Sequence, residues 1–180
     1  MAPLCRERNT SLATAQTGRN TARLDRGNDP PDPGRLPEDR PVTPTEIKTI
    51  RTGFALLAAH PDELAAEFYA RLFALDPSLT HLFRSDLKAQ GRKLTAALAL
   101  VVNSLDRLDG ILGQIQMLGL RHRDYGVEPA HYAIVGAALI DTLEARLGPA
   151  FTDEARTAWA TAYGILAEAM LTAPDMRDAA

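Results

Sequence analysis

From Thr43 onward, apolar residues recur every three or four positions, the period of a helix with one buried face. Ile47, Ile50, Phe54 and Leu57 form the first such stripe. Its start is marked by Thr43 as N-cap, Pro44 at the first helical position and Glu46 completing a capping box. "HPDE" interrupts the pattern at Pro61. "ELAAEFYARLFAL" resumes it, with Leu64, Phe68, Leu72 and Leu75 on one face and Tyr69 beside them. "DPSLTHLF" predicts a short turn-like helix opened by Asp76 and Pro77. A long helix is predicted from about Lys88 to Leu105. Another runs through "DRLDGILGQIQMLGLRHR" and ends before Gly126. "EPAHYAIVGAALIDTLEARLG" starts with Pro129 in its first turn and stops at Gly148. "FTDEARTAWATAYGILAEAML" starts at Thr152, with acids in the first turn, where the helix dipole favours them. Apolar and polar residues nowhere alternate over a strand's length. The expected body is all-α, with six substantial helices and one short one.

Residues 1–42 predict a disordered tail. "GNDPPDPGRLPEDRP" is dense in proline, glycine and charge and has little to bury. The body is expected over residues 43–173, with a short C-terminal tail over 174–180. The chain has 180 residues, enough for one domain with a core. Its net charge of −3 gives no electrostatic case for nucleic acid or an anionic membrane. No apolar run reaches the ~20 residues of a membrane helix. The N-terminus lacks the apolar segment of a secretory signal, so a cytoplasmic protein is expected. The single Cys5 excludes an internal disulfide.

No glycine-rich phosphate loop, HExxH zinc motif or cysteine pair is present. Four histidines remain. His60 precedes a proline in a turn. His81 and His131 sit where surface or satisfied-core positions are expected. His122 lies near the end of its helix, one turn after Leu118, and is open to two readings. It is a cation capping the helix end, or a neutral imidazole able to ligate iron, zinc or copper. Gln90 and Leu94 share a face of the long helix, with Lys93 at its edge. Phe83 is a large aromatic in a connection. Together these residues outline an apolar slot between two helices.

The stretches "FYARLFALDPSLTHLF", "QGRKLTAALALVVNSLDRL", "LGLRHRDYGVEPAHYAIVG" and "AWATAYGILAEAM" resemble globins. The likeness is to bacterial single-domain globins and the globin part of flavohaemoglobins, and also to neuroglobin. It carries Tyr69, Phe83, Gln90, His122 and Tyr132 in the family's order. The resemblance implies a globin fold. Because the first helix is complete, it implies the three-on-three arrangement. It implies haem b, iron protoporphyrin IX, as cofactor. His122 matches the proximal iron ligand, whose other ring nitrogen needs an acceptor such as a backbone carbonyl one turn earlier. Phe83 matches the phenylalanine packed on the porphyrin. Gln90 and Tyr69 match distal positions that reach bound gas, and Leu94 the apolar residue one turn after Gln90. Lys93 matches a position that pairs with a haem propionate. Leu118, Val127, Tyr132 and Val135 match the haem wall.

The implied function is reversible O2 binding, with no catalytic side chain assigned. NO and CO are further candidate ligands. Nitric oxide dioxygenase with an external reductase and a haem-based gas sensor are the alternatives. A monomer or homodimer is expected. The sequence departs from relatives in three ways. Gln90 replaces the distal histidine of vertebrate globins. No flavin or nicotinamide reductase segment is expected. "TAPDMRD" stands where flavohaemoglobins keep a glutamate linked to the positions of Tyr132 and the proximal histidine, which puts that relay in doubt.

Overall fold

The structure, a computed structural model, describes residues 40–83 and 86–174. Residues 1–39 of the predicted tail and residues 175–180 lie outside the described residues. Six α-helices follow one another: α1 (Pro44–Leu57), α2 (Pro61–Leu75), α3 (Leu87–Ser104), α4 (Leu112–Asp124), α5 (Pro129–Leu147) and α6 (Asp153–Leu171). Short 3₁₀ turns at Pro77–Leu82, Leu108–Ile111 and Gly148–Ala150 join them. There is no strand among the described residues, and no helix long and apolar enough to cross a membrane.

The helix starts follow local chemistry. The Glu46 N–H donates to Thr43 Oγ1 at 3.3 Å, and the Thr43 N–H donates to Glu46 Oε2 at 2.8 Å. Thr152 accepts from the Ala155 N–H at 3.3 Å to open α6. Asp86 accepts from the Lys88 N–H at 3.0 Å to open α3. His131 serves α5 in the same way, its Nδ1 accepting the Glu128 N–H at 3.0 Å. Each such cap satisfies a donor that the helix itself cannot.

Three expectations change. The predicted single helix through 106–123 is broken, because Leu108–Ile111 tighten into a 3₁₀ turn before α4 begins at Leu112. This turn reorients the chain and buries Ile111. Leu75 continues the apolar period of α2 but is 51% exposed, since the core ends one turn earlier at Leu72. Val42, expected in the tail, is buried in the core beside α1.

α1, α3 and α4 lie across α2, α5 and α6, the three-on-three globin arrangement. Ile50, Leu64, Leu72, Leu79 and Leu143 are almost fully buried at the centre. Burying each such side chain contributes roughly 1.5–3 kcal/mol. Two helix crossings bear on the site because glycine lets backbones meet there. A Cβ built on Gly91 of α3 would stand 2.7 Å from Ala65 Cβ of α2. A Cβ on Gly119 of α4 would stand 2.3 Å from the Met170 carbonyl oxygen of α6.

α3 packs on α1 and α2, and α4 on α6, but α3 and α4 make at most marginal contact with each other. Two helices in one layer are thus held apart by their partners in the other.

Candidate functional site

His122 stands near the end of α4, and its ring is partly buried. Its Nδ1 lies 2.8 Å from the Leu118 carbonyl oxygen, one turn earlier. A carbonyl only accepts, so Nδ1 is the donor, and in the neutral tautomer this selects the lone pair sits on Nε2. Nε2 has no hydrogen-bond partner among the described residues. The ring is partly buried and lies 6.3 Å from the Tyr132 ring, inclined at 32°.

The end of α4 fixes the same residue from the other side. Gly126 adopts φ +87°, in the left-handed region that glycine enters freely. This places the Gly126 N–H on Arg123 O at 2.9 Å and the Val127 N–H on His122 O at 2.9 Å. That pair of bonds is the Schellman closure of a helix. The backbone of His122 is therefore tied forward and its ring backward. These two N–H groups satisfy the last carbonyls of α4.

Leu118, on the same face of α4, is 37% exposed despite its apolar side chain. Val127 and Val135 are partly buried, and Tyr132 is buried. Burial pushes the Tyr132 phenol above its ordinary range, with Arg123 opposing. The Tyr132 carbonyl accepts from the Tyr163 hydroxyl at 2.6 Å.

On α3, Gln90 and Leu94 are both partly buried. Lys93 is exposed and makes no ion pair among the described residues. Tyr69 lies on α2. It is 7% exposed and set among rings, edge-on to Phe68 and Phe83 at 5.2 Å each and stacked on Phe73 at 6.0 Å. Burial pushes its hydroxyl up to about 12, so it stays a neutral donor throughout the physiological range. Phe83 ends the 3₁₀ turn of Pro77–Leu82 and also packs on Phe73 at 5.5 Å. The aromatic in a connection is thus one wall of a ring cluster around Tyr69.

Comparison with known proteins agrees with this architecture. The globin family model matches residues 66–170. This chain is a globin. It is 31% identical over 128 residues to a flavohemoprotein of Bacillus subtilis (strain 168), covering 69% of the chain and 32% of that protein. A flavohemoprotein of Vibrio cholerae is 30% identical over 133 residues, covering 72% of the chain and 34% of that protein. The globin spans about a third of the length of these curated relatives. A solved bacterial globin from Campylobacter jejuni shares the fold, with a TM-score of 0.62 at 24% identity, covering 70% of this chain and 91% of that one.

The family implies haem, and the residues fit it. Among the described residues, no three His, Cys, Asp or Glu side chains converge to hold a metal. A single available histidine suits a metal that arrives with its own equatorial ligands, as iron does in haem. Leu94, Leu118, Val127 and Val135 are apolar side chains left partly exposed, and α3 and α4 make at most marginal contact with each other.

Sequence reasoning passed over Tyr163, Gly119 and the bonding of Arg123. The Arg123 Nη2 donates to the Ala173 carbonyl at 2.9 Å, just past the end of α6. Gly136 makes room for the Tyr163 ring, since a Cβ there would stand 2.7 Å from its Cε1. Glycine inside a helical pattern was the available signal. Thr172–Pro174 face α4 with a backbone carbonyl and supply no carboxylate.

Proposed function

We propose that this globin holds haem b through His122 and binds O2 reversibly. The observation that carries the reading is the His122 Nδ1 bond to the Leu118 carbonyl, because it fixes the tautomer that offers Nε2 as a ligand. Haem, when bound, supplies a ferrous iron that takes a diatomic gas and leaves negative charge on O2. The remaining work belongs to the side chains. Tyr69 offers a neutral O–H donor held by three phenylalanines. Gln90 offers an amide from α3. Donors aimed at developing charge in a water-poor pocket stabilise it without having to reorganise. Lys93 is exposed on α3, where its cation would meet a propionate. Phe83, Leu94, Leu118, Val127, Tyr132 and Val135 exclude water from the porphyrin faces.

A second reading draws on the flavohemoprotein relatives. The same donors can hold O2 for attack by NO, so that O2, NO and one electron give nitrate. An external reductase would supply that electron. Stopped-flow turnover of NO with such a reductase separates this reading from simple carriage.

The test of haem ligation is titration of the haem-free protein with haemin, followed by visible spectra of the ferric, dithionite-reduced and O2-exposed forms. The expected result is a five-coordinate ferrous spectrum and a stable oxygenated form, both lost in His122→Ala. Haem bound equally well by His122→Ala overturns the assignment.

A further inference from the structure

Two contacts pin α4 to α6, and they bracket the histidine. Three residues before His122, Gly119 brings α4 against the Met170 backbone so closely that a Cβ would stand 2.3 Å from its carbonyl oxygen. One residue after it, the Arg123 guanidinium donates to the buried Ala173 carbonyl at 2.9 Å. Between these points, the His122 ring is tied to Leu118 O and its carbonyl to the Val127 N–H. α4 has no comparable support from any other α-helix. Its position is therefore set by the last turn of α6.

The neighbouring cation behaves differently. Arg121 is exposed, as Arg123 is, but its guanidinium makes no hydrogen bond or ion pair among the described residues. Elsewhere Arg40, Arg51, Arg71, Arg146 and Arg156 bond carboxylates. Arg123 alone among the described arginines has a lone backbone carbonyl as its partner. A carbonyl at a helix end carries partial negative charge, and a guanidinium is a strong donor to it. The bond crosses fifty residues of sequence.

We propose that Arg123 is a positioning residue for the iron ligand. Through Ala173 it locks the last turn of α4 to α6 and so sets the height and tilt of His122. This rests on the reading of His122 as the haem ligand. In this role the proximal side is held by a cation and a carbonyl. His122 itself is held by the neutral Leu118 carbonyl.

The test compares the full chain with Arg123→Ala, Arg123→Lys and the control Arg121→Ala. The first readout is the iron–histidine stretching band of the deoxygenated ferrous protein by resonance Raman. The second is the rate of haem transfer to an acceptor protein. The third, on the haem-free chain, is hydrogen exchange at the amides of residues 119–127. Arg123→Ala is expected to shift or broaden the band, to speed haem loss by about tenfold, and to raise exchange in the last turn of α4. Arg123→Lys restores part of each effect, since lysine keeps one cationic donor. Arg121→Ala resembles wild type. A lower Tm with an unchanged band in Arg123→Ala reduces Arg123 to a structural bond and overturns the proposal. Gly119→Ala displaces α4 without removing a charge and should move the band too; an unmoved band there also counts against the mechanism. Failure of the reading beneath it looks different, with no iron–histidine band in wild type or retention of the band in His122→Ala.

Discussion

Replacing Tyr69 by phenylalanine removes one oxygen atom and nothing else that the pocket uses. The ring contacts with Phe68, Phe73 and Phe83 at 5.2–6.0 Å are made by the aromatic carbons, so a phenylalanine keeps them. The side chain is only 7% exposed, which confines the change to the interior. On the proposed reading, what is lost is a donor to a charged acceptor, about 1.5–3 kcal/mol. At 1.4 kcal/mol per tenfold, full loss speeds O2 release by roughly 10- to 150-fold. Gln90 offers a second donor and takes up part of the loss, so the lower end, about tenfold, is expected. The assay is stopped-flow displacement of O2 by excess CO, which reads the dissociation rate directly. A pH series sharpens it. With the Tyr69 hydroxyl pushed up to about 12, the wild-type rate should stay flat well into alkaline solution. A change of less than twofold in Tyr69→Phe removes the residue from the distal role. A wild-type rate that titrates near neutrality shows that another group controls release.

Two further outcomes bear on the scaffold. Gly136→Ala forces a Cβ to within 2.7 Å of the Tyr163 ring and strains its 2.6 Å bond to the Tyr132 carbonyl, so thermal unfolding should show a loss of about 1–3 kcal/mol; an unchanged Tm refutes the close approach. Glu46, held at about 2 chiefly by the Arg40 guanidinium, contributes stability above its ordinary range near 4.5 and loses it as pH falls through the folded value. The Tm gap between wild type and Glu46→Gln should therefore be present at neutral pH and close between pH 4.5 and about 2; a gap that persists in acid refutes this.

The sequence disclosed most where the physics is local. Thr43, Pro44 and Glu46 announce α1 because a capping box spans four residues and needs no partner elsewhere. Gly126 announces the end of α4 for the same reason. The His122–Leu118 bond was also legible, since a ring four residues from a carbonyl along a helix can reach it. The break at Leu108–Ile111 was hidden because the apolar period runs through it. Leu75 misled because periodicity marks a face but not where the core stops. Tyr163 and Arg123 lay beyond sequence reading. Their partners stand 31 and 50 residues away, and only the crossing of α6 with α4 and α5 brings them together.

The helix crossings at Gly91, Gly119 and Gly136 bear on how this chain tolerates change. At each, the spacing between helices is set by a residue with no side chain, and the nearest atoms of a would-be Cβ lie at 2.7, 2.3 and 2.7 Å. None of these glycines bears a donor, a charge or a ligand atom on a side chain. Yet a methyl group at any of them forces its neighbour on the crossing helix to shift. A scan for reactive side chains would pass over all three, whereas a survey of tolerated substitutions should find them among the most restricted positions in the chain.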